Sequence, residues 1–350
     1  MNKKSVERKY YQDRYEVFFT VTLQEAGLRL DQFIQRYFPS FSREFIKKKI
    51  LKKEIKTPLR QGVPKASTSL LLHDQVYMIC YKDKIEDEYW KGNLISFENE
   101  IKILENHNDF CIVNKPPFMC THPTGRHVFY CATVYASRQL DCEINSVHRL
   151  DRETSGVLVL SKNAEGANSI SQQFEHHQTR KTYFLIAKKT NKTLHFPFTA
   201  KERLGENDDP NLARLIVKAF PEDSQQGKMA ETEFELISEN NDYLCAFARP
   251  KTGRQHQIRV HAAVHGFPLV GDKIYSKDYA QFQRFKDQEM TEIDYEELEL
   301  PRHALHAFQL EFFYNKEKKC YHAPIANDLI DFCHKKNLSL KNIHILKSTL

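Results

Sequence analysis

Apolar positions along this chain change their period from segment to segment. Val157 to Leu160 is a continuous apolar run behind the turn residues Thr154-Ser155-Gly156, which predicts a strand buried on both faces. Further strands are predicted at residues 15–22, 101–103, 110–113, 182–187, 230–237, 243–248 and 304–313. Helical spacing and capping residues predict helices at residues 30–38, from Ser42 onwards, and at residues 163–176 and 256–265. Strands dominate, so we expect an α+β fold with a mixed, mostly antiparallel sheet.

Composition and patterning divide the chain into five segments. The polar, basic residues 1–15 are expected to form a flexible tail, and the charged residues 87–100 a linker. The other segments are a small αα-β domain, a larger domain and a C-terminal extension, at residues 16–86, 101–330 and 331–350. Within the larger domain, the acidic residues 279–298 are expected to be an exposed insertion.

The overall composition is that of a soluble protein with a real core. Hydrophobic residues make up 41% of the chain, with 24 Phe and 16 Tyr, and charged residues make up 28%. No apolar run approaches the roughly 20 residues of a membrane span, and the basic N-terminus is not followed by the apolar stretch of a signal peptide. Eight cysteines without a Cys-x-x-Cys pair indicate a reduced, cytoplasmic protein with mostly buried thiols.

Positive charge is concentrated at the start of the chain. The net charge is +6, and residues 1–90 hold 18 basic and 12 acidic side chains, which accounts for all of it. The other 260 residues are neutral overall, with 34 groups of each sign. This asymmetry predicts a polyanionic partner, and it favours nucleic acid over a membrane surface.

The segment before the central strand carries candidate chemistry. Asp151 lies between Arg149 and Arg152, on a loop that the strand at residues 157–160 would hold rigidly. A loop on a rigid scaffold is a common place for a reactive side chain. The alternative is a structural Asp that caps the turn at Thr154-Ser155.

Several motifs follow one another in a fixed order. They are Asn114-Lys115-Pro116, His148-Arg149-Leu150-Asp151-x-x-Thr154-Ser155-Gly156, Arg180-Lys181-Thr182-Tyr183, Thr252-Gly253-Arg254-Gln255-His256-Gln257-Ile258-Arg259-Val260-His261, Gly266-x-Pro268-Leu269-Val270-Gly271-Asp272-x-x-Tyr275 and Leu305-His306-Ala307. From about residue 101 to about residue 313 the chain resembles the RluA-type RNA pseudouridine synthases. The resemblance implies that fold and the isomerisation of uridine to pseudouridine in RNA.

The resemblance assigns roles to individual residues. Asp151 matches the essential carboxylate, Tyr183 matches the tyrosine that stacks on the target base, and Arg149 matches the arginine that replaces the flipped nucleotide. Arg259 is the expected partner of Asp151, because a guanidinium beside a partly buried carboxylate keeps it ionised. Arg254 is the competitor for that place, and we assign it to phosphate or loop contacts. Each arginine could instead lie on the surface, and Tyr183 could belong to the core.

The implied reaction changes no oxidation state, so we expect no cofactor and no metal. It needs a carboxylate, a group that keeps it ionised, a surface on which the base stacks, and a way to open the RNA. His256, His261 and His265 were weighed as metal ligands, but no nearby acid or Cys completes a ligand set.

The N-terminal segment more weakly resembles a ribosomal-protein-type RNA-binding module. Gly27-x-Arg29-Leu30-Asp31-x-Phe33 and Ser42-Arg43 carry that resemblance. The candidate phosphate contacts are Arg43, Lys47, Lys48, Lys52 and Lys53. Nine bases against two acids between residues 43 and 65 favour phosphate binding over a merely solvated helix face.

Structured RNA is the expected partner, and the protein is expected to be a monomer. The N-terminal module favours ribosomal RNA of the large subunit over transfer RNA, by analogy with the family. Two other functions remain as alternatives: a non-catalytic RNA-binding factor for ribosome assembly, and a hydrolase that uses Asp151 and the histidines.

Overall fold

The structure, a computed structural model, divides into two compact units. It describes residues 6–11, 13–38, 41–82, 86–95, 101–124, 127–190, 195–207, 215–276 and 279–341. Unit 1 comprises Met1–Glu88 together with Cys120–Cys142, and unit 2 comprises Tyr89–Met119 together with Glu143–Leu350.

Unit 1 combines a four-stranded sheet with three helices. In chain order its elements are β1 (Val6–Tyr10), β2 (Arg14–Thr20), α1 (Leu30–Tyr37), α2 (Arg43–Leu51), β3 (Ile55–Lys56), β4 (Gln75–Tyr81) and, beyond four strands of unit 2, α3 (Ala132–Leu140). The strands lie in the order β1-β2-β4-β3, and every pair is antiparallel. Alternate residues of β2 and β4, such as Val17 and Met78, are buried and form one side of the core.

The two predicted N-terminal helices are confirmed. Ser42 caps α2 by accepting a hydrogen bond from the Phe45 backbone N–H, and Ile46 and Ile50 of α2 are buried. The expectation that the lysines of α2 all face solvent is wrong for Lys49. Its side chain is buried, with Nζ 2.7 Å from a Glu54 carboxylate oxygen.

The predicted flexible tail is wrong for the residues of β1. Arg8 and its neighbours pair with β2 in an antiparallel register, so β2 is an interior strand and not an edge strand. Tyr10, at the end of β1, packs against Tyr15 at 6.0 Å between ring centroids and donates a hydrogen bond to Ser137 at 2.7 Å. Ring packing and a hydrogen bond hold a segment that composition alone marked as loose.

Unit 2 is built around a ten-stranded sheet. Its strands are β5 (Tyr89–Trp90), β6 (Asn93–Leu94), β7 (Lys102–Asn106), β8 (Phe110–Lys115), β9 (Asn145–Ser146), β10 (Ser155–Ser161), β11 (Arg180–Lys188), β12 (Phe198–Ala200), β13 (Arg203–Glu206), β14 (Val217–Phe220), β15 (Thr232–Glu239), β16 (Tyr243–Pro250), β17 (Leu305–Tyr314) and β18 (Glu317–His322). Its helices are α4 (Ala164–Glu175), α5 (Gln257–Val264), α6 (Tyr279–Asp287), α7 (Glu292–Leu298) and α8 (Asn327–Lys335).

The sheet is mixed and mostly antiparallel, as predicted. Its order is β12-β15-β16-β11-β17-β10-β8-β7, with β18 beside β17 and β9 beside β10. Only β10 and β17, among the described strands, pair in parallel. Every residue of β10 is buried, which confirms the strand predicted to be buried on both faces.

Gly156 allows β10 to approach β17. Its φ is +113°, and a Cβ built on it would lie 2.2 Å from the Ala307 carbonyl oxygen. No side chain fits there, so glycine sets the entry of the chain from the Asp151 loop into the sheet.

Two expectations about the rest of unit 2 were wrong. The acidic insertion forms α6 and α7, which bury Phe282 and Leu298. The predicted extension contains most of α8, and Phe332 and Cys333 join the core beside Phe184. Apolar residues at helical spacing in both segments were outweighed by their charge in the sequence. The predicted linker contains β5 and β6, and its last residues, 96–100, lie outside the described part of the chain.

Candidate active site

A cleft of about 590 Å³ opens in unit 2 where the quoted motifs meet. Its lining includes His148, Arg149, Asp151, Phe174, Glu175, His177, Lys181, Tyr183, Thr252, Gly253, Arg254, His256, Arg259 and Leu305. The loop before β10, the strand β11, the turn after β16 and the start of α5 supply these side chains. Segments more than 100 residues apart in sequence thus converge on one site.

Asp151 lies on the cleft wall, held by the turn that precedes β10. The Thr154 backbone N–H donates to the Asp151 carbonyl at 3.0 Å, which closes that turn. The carboxylate of Asp151 accepts a hydrogen bond from Arg259 Nη1 at 3.2 Å. The sequence analysis predicted this contact, and the structure contains it. Within the described residues, the Asp151 side chain makes no hydrogen bond to its own turn, so the geometry does not support a capping role.

A second carboxylate fixes Arg259 from behind. Asp272 Oδ2 accepts from Arg259 Nε at 2.6 Å, and Asp272 Oδ1 accepts from Arg259 Nη2 at 2.8 Å. This two-point contact leaves Nη1 for Asp151. The backbone N–H groups of Ile274 and Tyr275 also donate to Asp272, at 3.0 and 3.1 Å. Both partners of the pair are buried, with side-chain exposures of 5% for Arg259 and 0% for Asp272.

These contacts keep both carboxylates ionised. Burial alone would raise the pKa of Asp151, but the charges of His256 and Arg259 outweigh it and hold that pKa below its ordinary value. Burial likewise opposes the ionisation of Asp272, yet Arg259 lowers the pKa of Asp272 to about 2. Near neutral pH the cleft therefore presents Asp151 as an oriented carboxylate.

His256 lies on the other side of Asp151. Its Nε2 is 3.9 Å from Asp151 Oδ2, and its Nδ1 is 2.8 Å from the Tyr275 hydroxyl. Tyr275 Oη accepts the Val217 N–H, so its own proton is available for His256 Nδ1. Burial lowers the pKa of His256 to about 4. The ring is then neutral near pH 7, with its proton on Nε2, facing Asp151. Arg259 is the permanent cation of the pair.

A buried polar network supports the Asp151 loop from below. Glu153 accepts from Lys273 Nζ at 2.7 Å and from the His303 backbone N–H at 3.0 Å. His303 Nε2 lies 2.7 Å from the Thr154 hydroxyl. Lys115 Nζ donates to three backbone carbonyls, including that of Arg152 at 3.1 Å. Residues on both sides of Asp151 are thus bonded to buried groups, which fixes its direction.

Tyr183 lies on β11 and lines the cleft together with Asp151. It is partly buried, and its phenol makes no hydrogen bond with a described residue. Burial, followed by the charge of Asp151, raises the pKa of Tyr183, so the phenol stays protonated. A ring that lines an open cleft beside a carboxylate can stack on a flat ligand.

The other predicted cleft residues take different positions. Arg149 is exposed at the cleft, and its guanidinium has no hydrogen bond or ion pair among the described side chains. Arg254 is half-buried and donates from Nε to the Met229 carbonyl at 2.9 Å, on the far side from Asp151. His148 accepts the Val159 N–H at 3.2 Å, as the hydrogen-bonding role predicted for it requires.

The candidate phosphate contacts of unit 1 are divided by the structure. Arg43 lies 2.9 Å from Asp31, and Lys48 lies 3.2 Å from Glu44, so both are already paired. The side chains of Lys47, Lys52 and Lys53 form no ion pair with any described acid. These three are the cations of α2 and its C-terminus that remain available to an external anion.

Sequence reasoning missed four supporting residues: Lys115, Glu153, His256 and Asp272. Asp272 and Lys115 stand inside quoted motifs, and an acid in the same motif set as Arg259 was the available signal. His256 was weighed only as a metal ligand. Among the residues that the structure describes, no three His, Cys, Asp or Glu side chains are grouped to hold a metal ion. In the same residues, no helix has the length and apolar character of a membrane span.

Comparison with known proteins places these features in context. The family model described as RNA pseudouridylate synthase matches residues 109–264. A ribosomal large subunit pseudouridine synthase D of Borreliella burgdorferi is 28% identical over 73% of this chain and 78% of its own length. An uncharacterised RNA pseudouridine synthase of Aquifex aeolicus is 30% identical over 71% of this chain and 76% of its own.

Two further similarities concern other parts of the picture. A mitochondrial tRNA pseudouridine(32) synthase of Saccharomyces cerevisiae is 34% identical, over 51% of this chain and 37% of its own length. The solved structure of human RNA Pseudouridylate Synthase Domain Containing 4 is 22% identical and covers 68% of this chain and 94% of that one. Its TM-score of 0.54 shows that the two share a fold.

Proposed function

The chain belongs to the RNA pseudouridylate synthase family and is an isomerase that acts on RNA, and we propose that it converts uridines of large-subunit ribosomal RNA, with Asp151 as the essential carboxylate. One observation carries the assignment of the site. Asp151 is held ionised by Arg259 in the cleft that Tyr183 also lines.

The geometry supplies each part that the reaction requires. The bond between uracil and ribose must break, the base must turn, and a bond from ribose to carbon must form. An oriented, ionised Asp151 can serve this sequence either by attacking the substrate or by removing a sugar proton. Arg259 keeps the carboxylate in place, and the neutral His256 directs its Nε2 proton toward it.

Substrate binding is assigned to residues at the wall and mouth of the cleft. We propose that Tyr183 stacks on the flipped uracil, with roughly 1–3 kcal/mol of stacking free energy. Arg149 is exposed at the cleft without a protein partner, which supports its assignment as the side chain that fills the place of the flipped nucleotide. Both assignments rest on the matched motif and on these positions.

The RNA target is proposed from the relatives and from charge. The relative from Borreliella burgdorferi is named for the large ribosomal subunit. Residues 1–90 carry the whole basic excess of the chain. Lys47, Lys52 and Lys53 are unpaired with described acids, so we propose that unit 1 binds RNA phosphates through them. The coverage of the yeast relative, which is named for tRNA, makes transfer RNA the second candidate.

Pseudouridine mapping tests the function and separates the two targets. Total RNA from cells with and without the gene is mapped, and the deleted cells receive either the wild-type gene or an Asp151→Asn variant. We expect one or more ribosomal pseudouridines to disappear on deletion and to return only with the wild-type gene. A loss confined to transfer RNA would establish the second candidate, and an unchanged map would refute the function.

A further inference from the structure

A buried lysine lies on the same strand face as Tyr183. Lys181 precedes Tyr183 by two residues on β11, and both side chains line the cleft of Asp151. Two residues of a strand span about 6.6 Å. Lys181 also lines an adjoining groove of about 850 Å³ in unit 2, which shares His177 and Thr252 with the cleft. Lys181 therefore stands where the place of the base meets a second channel.

The ammonium group of Lys181 has one bonding partner in the described protein. Its Nζ donates to the Thr252 carbonyl at 3.3 Å, and a Cβ built on Gly253 would lie 3.9 Å from it. No carboxylate of the described residues lies within 4.0 Å of this Nζ. Burial lowers the pKa of Lys181 to about 8, so the group still carries its charge near pH 7. A buried cation without a counter-ion is unfavourable in the free protein.

Nearby acids are engaged elsewhere. The acids of the adjoining groove are held by other bases: Glu231 and Glu233 by Lys251 at 2.8 Å each, Glu222 by Lys201 at 3.8 Å, and Glu311 by Lys318 at 2.7 Å. In the cleft, Asp151 is held by Arg259, and Glu175 is exposed beyond ion-pair distance of Lys181. Arg180, exposed in the same groove, also has no partner among the described side chains.

We propose that Lys181 binds the backbone phosphate of the nucleotide whose base stacks on Tyr183, and that the adjoining groove receives the next phosphates of the RNA. This inference rests on the proposed function, because it assumes that the cleft takes a flipped uridine. Phosphate oxygens accept the ammonium protons for which the free protein offers no acceptor. Lys181 is thus a positioning residue that couples the backbone of the RNA to the place of its base.

The first test measures binding without turnover. Unmodified large-subunit ribosomal RNA transcript is titrated over a salt series with wild-type protein, Lys181→Met, Lys181→Arg and the control Lys188→Met. Lys188 ends the same strand but lines neither cavity. Lys181→Met should lower affinity about 10- to 100-fold and reduce the salt slope by about 0.9, whereas Lys181→Arg and Lys188→Met should stay close to wild type. An unchanged slope for Lys181→Met would overturn the proposal.

The second test identifies the source of the phosphate. A stem-loop around the mapped uridine carries a single uncharged methylphosphonate on one side of that uridine or on the other. One of the two substitutions should weaken wild-type binding about 10- to 100-fold and leave binding by Lys181→Met unaffected. If both proteins lose affinity equally, Lys181 does not contact that phosphate. If inorganic phosphate stabilises only the wild type and neither methylphosphonate matters, the site takes a free anion and the proposal is wrong.

Thermal unfolding separates this role from a structural one. Lys181→Met removes an unpaired buried charge, so the Tm of the RNA-free protein should stay level or rise. A lower Tm with unchanged RNA binding would show that Lys181 only supports the fold. Because neither binding test requires turnover, a wild type that forms no pseudouridine would refute the proposed function while leaving the Lys181 comparison readable.

Discussion

Asp272 offers the sharpest test of how the site is held together, through the variant Asp272→Asn. The substitution keeps the size of the side chain but places an amide against the guanidinium of Arg259. Arg259 then loses at least one of its two contacts, of 2.6 and 2.8 Å, inside a buried site. Its Nη1 is no longer directed at Asp151, although Asp151 itself is unchanged.

The expected magnitude follows from burial and charge. Breaking one side of a buried ion pair typically costs about 3–5 kcal/mol of stability, because the remaining charge stays buried. The hydrogen bond from Arg259 to Asp151 joins two charges and is worth about 1.5–3 kcal/mol. Its loss should reduce the rate of isomerisation about 10- to 150-fold, beyond any effect of a smaller folded fraction.

Asp294 provides a matched control for Asp272. Asp294 is also buried, and it also binds an arginine at two points, with contacts to Arg284 of 2.8 and 2.5 Å. That pair joins α6 to α7 and lines neither cavity. Asp294→Asn should lower the Tm and leave single-turnover rates at temperatures well below the Tm unchanged. Asp272→Asn should lower both.

The pH profile shows whether the effect runs through Asp151. In the wild type the pKa of Asp151 lies below its ordinary value, so the carboxylate loses its charge only at low pH. Once Arg259 is displaced, burial acts with less opposition and the pKa of Asp151 rises. The acid limb of the rate profile should therefore move to higher pH in Asp272→Asn. Equal rate losses in the two Asn variants, or an unmoved acid limb, would refute this reasoning.

Four further predictions follow from the site and from unit 1. Asp151→Asn should abolish isomerisation while filter binding of RNA is largely kept, and turnover at the wild-type rate would remove Asp151 from its role. Tyr183→Phe should retain RNA affinity that Tyr183→Ala loses by roughly 1–3 kcal/mol, so equal affinities would exclude stacking. Reversing the charges of Lys47, Lys52 and Lys53 should flatten the salt dependence of RNA binding by up to about 0.9 per phosphate, and an unchanged slope would indicate a solvated helix face. Activity should survive EDTA, and inhibition that added metal reverses would contradict a metal-free mechanism.

Much of the framework was predictable because it depends on local pattern. The run from Val157 to Leu160 is a buried strand, and Asn163 caps α4 by accepting the Gly166 N–H at 2.9 Å. The choice of Arg259 over Arg254 as the partner of Asp151 came from the matched motif and agrees with the observed contact. Sequence order and spacing carried this information without knowledge of distant contacts.

The remainder depends on contacts that spacing does not reveal. Asp272 lies 13 residues after Arg259, and the importance of this pair appears only when α5 and the following loop meet in space. The strand β1 is highly charged, and its order comes from pairing with β2 and from Tyr10. The burial of Phe332 against Phe184 likewise joins residues from opposite ends of unit 2. Tertiary packing overrode local composition in each case.

The discontinuity of unit 1 has a consequence for biosynthesis. The polypeptide leaves unit 1 after residue 88, returns at residue 120 and leaves again after residue 142. A ribosome that has made residue 88 must therefore add 54 more residues before unit 1 is complete, which takes roughly 3–11 s at about 5–20 residues per second. During that interval the nascent chain exposes sheet surface that α3 and its flanking loops have yet to join. Release factors or stalls that cut translation short between these two points would yield an incomplete unit, and such fragments should be targets for chaperones and proteases.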